Sequence, residues 1–145
     1  LELYSVGDRL QVAETELGVI GLDICADNFP DSLAIGHVMG RMGAQVILSP
    51  SAWAVPPDWD ASQPYGEMWI RSFRELATEN NATIIGVSNV GRLTAGPWEG
   101  HSAIGNSLAV GPSGEVLTRG PFGEDASTLM VVEVEPRPST RKPSE

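Results

Sequence analysis

The chain has 145 residues, one domain's length, and its 41% hydrophobic content is enough for an ordinary soluble core. A net charge of −10 argues against nucleic acid, whose phosphates need a basic face, although a local pocket can still suit an anionic small molecule. The apolar runs fall well short of the roughly 18 residues a membrane span needs, and one cysteine with two histidines makes neither an internal disulfide nor a cysteine-rich zinc site.

No basic leader precedes an apolar stretch, and the chain opens on Leu1 without an initiator Met. The expectation is a reducing, cytoplasmic setting and a natural N-terminus further upstream. Along the chain, "DRLQVAET" alternates in part, and "ELG" turns it into "VIGLDIC", which predicts a β-hairpin with Gly18 at the turn. The second strand is almost continuously apolar on one face (Ile20, Leu22, Ile24), the pattern of a buried sheet. Pro30 or Asp31 opens a helix with Leu33, Ile35 or Gly36, Val38 and Met39 on one face, ending near Gly43. "AQVILSP" is the next strand, and a strand–helix–strand unit calls for a parallel pair with a right-handed crossover.

The Pro- and Trp-rich stretch "SAWAVPPDWDASQPYG" follows the C-terminal end of that strand, where open α/β sheets keep their ligands. A second helix, about Tyr65 to Asn80, leads into the strand "TIIGVSNVG". "NSLAVGPSGEVLTRG" reads as two strands around the turn Pro112-Ser113-Gly114, and "TLMVVEVE" as a last strand. Residues 136–145, "PRPSTRKPSE", have the composition of a disordered tail.

The lone thiol, Cys25, supports two readings. A buried free cysteine acts as a small hydrophobe. A reactive one needs a base to take its proton and a cation to balance nearby carboxylates. In a strand, Asp23 and Cys25 would share a face, and a neighbouring carboxylate raises a thiol's pKa. The following helix N-terminus offers partial positive charge and spare N–H groups. From these residues alone both readings stand.

The segments "GVIGLDICADNFPDS", "GAQVILSPSAW", "RELATEN", "VSNVG" and "GNSLAVGPSGEV" occur in this order with ordinary spacings. Together they resemble the C-terminal half of the nitrilase superfamily, the carbon–nitrogen hydrolases, over Tyr4 to Glu135. The resemblance implies an α/β fold, a nitrilase-like α-β-β-α sandwich. Residues 1–135 would form an incomplete half of it, with a mixed sheet and two main helices. It also implies a Glu–Lys–Cys triad with Cys25 as nucleophile, attacking amides, nitriles or N-carbamoyl groups through a thioester or thioimidate. The Glu would carry protons to and from the thiol and the leaving nitrogen. The Lys ammonium and the Ala26 N–H would hold the developing oxyanion. Both Glu and Lys belong to family segments upstream of Leu1, and the only lysine here is Lys142, in the tail. The fragment alone is therefore expected to be inactive.

By the same resemblance Glu2 is placed like a further carboxylate near the substrate, and Trp53 and Ser51 stand where pocket side chains are found. Trp53 would wall an apolar pocket, or equally anchor its loop. The family often has an aromatic after the cysteine and an arginine before Phe-Pro; Ala26 and Asn28 stand there. Trp59, Tyr65 and Trp69 are read as packing the long loop or a subunit interface. His37 and His101 are read as structural, and Asn89 and Ser107 as hydrogen-bonding residues. Glu79 either caps or pairs at the helix–sheet interface, or is simply an exposed helix glutamate. Neither a metal nor an organic cofactor is called for. The expected partners are a small amide, nitrile or carbamoyl substrate and a second copy of the chain in a homodimer or larger homo-oligomer, with no nucleic acid and no membrane. An acyl or amide-nitrogen transferase, or a non-catalytic binding relative, are the alternatives.

Overall fold

The computed structural model describes residues 7–62 and 64–137. In chain order it holds strands β1 (Val12–Thr15) and β2 (Gly18–Leu22), a 3-10 turn at Cys25–Asn28, helix α1 (Ala34–Arg41), then β3 (Val46–Ser51) and β4 (Ala54–Val55). Helix α2 (Glu67–Asn80) follows, then β5 (Thr83–Ser88), β6 (Val90–Arg92), β7 (Ser102–Ile104), β8 (Leu108–Val110) and β9 (Val116–Arg119). Six strands form one sheet in the order β1-β2-β3-β5-β8-β9, and β4-β7-β6 form a second, three-stranded sheet. The predicted hairpin is present: β1 and β2 run antiparallel, with Gly18 at φ 112° and the Thr15 hydroxyl donating to its carbonyl at 2.7 Å. β2, β3 and β5 are mutually parallel, whereas β8 and β9 return antiparallel, which makes the sheet mixed.

Both helices lie on one face of the six-stranded sheet. The reason is readable in the alternation of its strands. Ile47 of β3, Ile84 of β5 and Leu108 and Val110 of β8 are fully buried, and they meet Met39 of α1 and Leu76 of α2. Burying each such side chain contributes about 1.5–3 kcal/mol. The opposite face carries Ile20, Leu22, Leu48 and Val87, and there Leu22 and Val87 are 64% and 61% exposed. The apolar pattern Ile20, Leu22, Ile24 was expected to mark a face buried in the chain. Instead Leu22 and Ile24 face away from the helices, and Gly21 points inward at the Met39 sulfur. Val134 and Pro136 run along part of this outer face, where they join Ile20, Val46, Leu48 and Ile85 in lining a groove of about 660 Å³.

Three expectations need correction. Helix α1 begins at Ala34 rather than at Pro30 or Asp31, because tight turns such as Ser32 N–H to Phe29 C=O (2.8 Å) precede it. Its inward residues are Leu33, Gly36 and Met39, with Val38 turned out. "TLMVVEVE" is not a strand: it pairs with no neighbour, and Leu129 and Val131 are 90% and 86% exposed. Strand composition becomes a strand only where a sheet edge or a packed surface receives it.

Close packing of α2 on the sheet uses Gly86 of β5. A Cβ built there would lie 2.6 Å from Cε2 of Phe73, a 2% exposed ring on α2. An aromatic ring gives way less readily than an aliphatic side-chain end, so Gly86→Ala is expected to destabilise the fold by about 1–3 kcal/mol. The check is the midpoint of chemical denaturation, which should fall with little change in slope.

Candidate active site

β2 ends at Leu22, although the Asp23 N–H still donates to the Leu48 carbonyl at 3.2 Å. The chain then leaves the sheet, and Cys25 opens the 3-10 turn with φ 42°. Asp23 and Cys25 therefore do not share a strand face, as the sequence had led one to expect. Asp23 points into the protein at 2% exposure, and Cys25 sits half-buried at the turn. A left-handed residue bearing a Cβ costs about 1–2 kcal/mol. Local hydrogen bonds offset this: the Ile24 N–H donates to Asp27 Oδ2 at 2.8 Å, and the Asp27 N–H returns to the Ile24 carbonyl at 2.9 Å.

The Ala26 N–H, next in the chain, donates to no acceptor among the described residues. It is the spare donor beside the thiol that an oxyanion would need. Because β2, β3 and β5 are parallel, their C-terminal ends reach one rim. Cys25 follows the end of β2, Ser51 closes β3, and Ser51 faces Ser88 across to β5, with the Asn89 N–H donating to the Ser51 carbonyl at 3.1 Å.

Trp53 follows β3 and meets Phe29 of the cysteine turn edge to face, with ring centroids 5.5 Å apart, and Trp69 of α2 at 5.7 Å. The indole is half-buried and packs against the same core cluster as Cys25, which anchors its loop there. Ser51 is half-buried at the strand end. Glu2 lies outside the described residues.

Of the remaining candidates, Trp69 packs against Trp53 of the long loop, as expected, and does so from within the core at 5% exposure. The stripe Trp69, Phe73, Leu76, Ala77 on α2, spaced three to four apart, was the signal for this. His37 is held between the helices, with Nδ1 3.1 Å from Asn80 Nδ2 and Nε2 3.8 Å from Glu75 Oε1. His101 packs against Trp98 in its loop. Ser107 accepts the Ser88 N–H through Oγ at 3.1 Å and the Gly120 N–H through its carbonyl at 2.8 Å. Glu79 is exposed on α2. Among the described residues no group of three or more His, Cys, Asp or Glu side chains is arranged to hold a metal.

Tyr65 is the residue that sequence reasoning undervalued. Its hydroxyl donates to the Gly105 carbonyl at 2.9 Å, and its ring lies between Trp59 and Phe122 at 5.6 and 5.3 Å. Burial pushes its phenol up to about 12, and negative charge at Cys25 adds to the rise, so the two side chains are within electrostatic reach.

For Tyr65 the sign of the pH dependence follows directly. The unfolded phenol loses its proton near 10.0 and the native one near 12, so the native state binds more protons between these values. The stabilisation is complete below 10.0 and is lost as pH climbs to about 12. Tyr65→Phe is expected to remove that alkaline slope and to cost about 1 kcal/mol at neutral pH, because the buried Gly105 carbonyl loses its donor. Denaturant titrations at neutral and strongly alkaline pH read both effects.

A family model described as carbon-nitrogen hydrolase matches residues 2–139. Deaminated glutathione amidase from Yersinia enterocolitica is 28% identical over 138 residues, covering 92% of this chain and 41% of that protein. A carbon-nitrogen hydrolase from Helicobacter pylori superposes with a TM-score of 0.70 at 23% identity, over 84% of this chain and 43% of that one. An amidase from Nesterenkonia sp., whose structure has acrylamide joined by Michael addition to its active-site cysteine, gives a TM-score of 0.58 at 25% identity, over 83% and 42%. The chain thus spans well under half the length of these relatives. With the family model covering nearly its whole length and the mixed sheet superposing on solved relatives, the chain belongs to the carbon-nitrogen hydrolase family.

Proposed function

We propose that this chain carries the nucleophile of an enzyme that cleaves the carbon–nitrogen bond of a small amide, with Cys25 forming a thioester. The observation that carries the reading is the Cys25 turn itself. A partly buried thiol sits in left-handed backbone at the rim where three parallel strands end, with the unengaged Ala26 N–H beside it. Strained nucleophile turns of this kind lift a reactive atom clear of the sheet. An amide, rather than a nitrile, is favoured by the two amidases among the relatives.

The chemistry divides by atoms. The Cys25 sulfur, deprotonated by a base, adds to the carbonyl carbon, and the Ala26 N–H stabilises the oxygen as its charge grows. The C–N bond then breaks as the nitrogen takes a proton and leaves as ammonia or an amine. Water attacks the thioester, freeing the acid and the thiol. The base and the ammonium for these steps are the Glu and Lys that the family places in segments other than those present here. Trp53 supplies an apolar wall, and Ser51 a hydroxyl at the pocket edge. Glu2 is a candidate further carboxylate near the substrate. The enzyme would act in the cytoplasm as a homodimer or larger homo-oligomer. An amine replacing water at the second step would make the same thioester serve a transferase.

In the intact natural protein Cys25→Ala is expected to lower amide hydrolysis by about a thousandfold or more. Mass spectrometry after rapid quenching should find an acyl adduct on the Cys25 peptide, released as a hydroxamate by hydroxylamine. The isolated 145-residue chain is expected to show no turnover. Retention of the rate by Cys25→Ala, or an adduct on another residue, overturns the reading.

A further inference from the structure

Next to the cysteine turn lies a polar unit with no contact to solvent. Asp23, Asn28 and Ser49 are 2%, 0% and 1% exposed, and they come from three separate segments: the end of β2, the 3-10 turn and β3. Asn28 Nδ2 spends both hydrogens, one on Asp23 Oδ1 and one on Ser49 Oγ, each at 2.8 Å. Two oxygens are then left without a partner among the described residues, Asp23 Oδ2 and Asn28 Oδ1.

With the carboxyl ionised, both of these oxygens are pure acceptors, and a buried unfilled acceptor costs about 1–3 kcal/mol. They are not randomly placed. Each is the second oxygen-side atom of a group already joined to the other by one hydrogen bond. A carboxylic acid and a primary amide close a ring in this arrangement, the amide N–H donating to one carboxyl oxygen and the carboxyl O–H to the amide oxygen. A proton on Asp23 Oδ2 would turn one of these two acceptors into a donor for the other.

We propose that Asp23 is a positioning residue that carries a proton on Oδ2 at neutral pH, closing an acid–amide ring with Asn28 that brackets Cys25 and keeps negative charge away from its thiol. The inference deepens the nucleophile reading of Cys25 and rests on it. Burial is the main influence on the Asp23 carboxyl and raises it above the ordinary range, hydrogen bonds from Ser49 and Asn28 pull it back, and the charge of Asp27 raises it further. The ring joins the residue two before the cysteine to the residue three after it, so the left-handed backbone between them has fixed ends. A neutral Asp23 leaves the enclosed inner side of the cysteine turn without a buried negative charge. The ionisable neighbour that bears on this unit is Asp27, whose Oδ2 is engaged by the Ile24 N–H.

The test uses the intact natural protein and follows the pH dependence of Cys25 alkylation by iodoacetamide, together with the infrared carboxylic-acid C=O band. Asp23→Asn substitutes an amide that still donates to Asn28 Oδ1 and bears no charge. Its alkylation midpoint is expected within about 0.3 pH units of the unmodified protein. Asn28→Asp puts a second carboxyl in the ring and is expected to raise the midpoint by about one unit or more, a roughly tenfold slower alkylation at fixed pH below it. The protonated-carboxyl band should be present at neutral pH and absent from Asp23→Asn. A midpoint that falls by about one unit in Asp23→Asn means an ionised carboxylate in the native protein and overturns the proposal, as does absence of the band. Neither readout needs turnover. Failure of the ring is therefore separable from failure of the nucleophile reading, which Cys25→Ala and the acyl adduct decide.

Discussion

The geometry at Cys25 depends on holding one residue with a side chain in a backbone region that such residues avoid. At φ 42° the turn would relax unless its flanks were fixed. They are fixed on both sides, by the Asp27 carboxylate on the Ile24 N–H and by Asn28 reaching from the turn to Asp23 and Ser49. The sheet contributes the floor. Parallel pairing of β2 with β3 brings Ser49 under the turn, and the Leu48 carbonyl still grips the Asp23 N–H after the strand has ended. Local strain is thus supported by long-range pairing, and the spare Ala26 N–H is a by-product of the same bend.

Around that turn polar and apolar surroundings are kept apart. The inward side is the polar unit of Asp23, Asn28 and Ser49, fully enclosed. The rim side is aromatic: Phe29 belongs to the turn's own flank, and its contacts with Trp53 and Trp69 tie the loop after β3 and helix α2 to the cysteine segment. The edge-to-face pairs Phe29–Trp53 and Trp53–Trp69 each add about 0.5–1.5 kcal/mol beyond the area they bury, and they fix orientation as well as distance. Tyr65, anchored on Gly105, closes the same region from the loop before α2.

Much of this was legible in the residues. The hairpin around Gly18, the parallel unit of β2, α1 and β3, the long α2 and the pair β8–β9 all follow from periodicity and turn chemistry. The resemblance carried by the cysteine segment and its four companions led to the family. What was not legible has a common cause. The end of β2 at Leu22 depends on Asp23 finding Asn28 and Ser49, and Ser49 is a partner that no local pattern advertises. The apolar face of β2 could be identified, but which face the helices would cover could not, because Gly21 and Asp23 gave no hydrophobic signal for the inner side. "TLMVVEVE" has strand composition without an edge to join, and Trp69 belonged to a helical stripe that was there to be counted.

The uncovered side of the six-stranded sheet has a thermal consequence. Leu22, Ile24 and Val87 present large aliphatic side chains to water, each more than half exposed. Shielding such surface carries a negative heat-capacity change and is driven near room temperature by the entropy of released water. Any partner that covered those side chains would therefore be held less firmly in the cold than at room temperature.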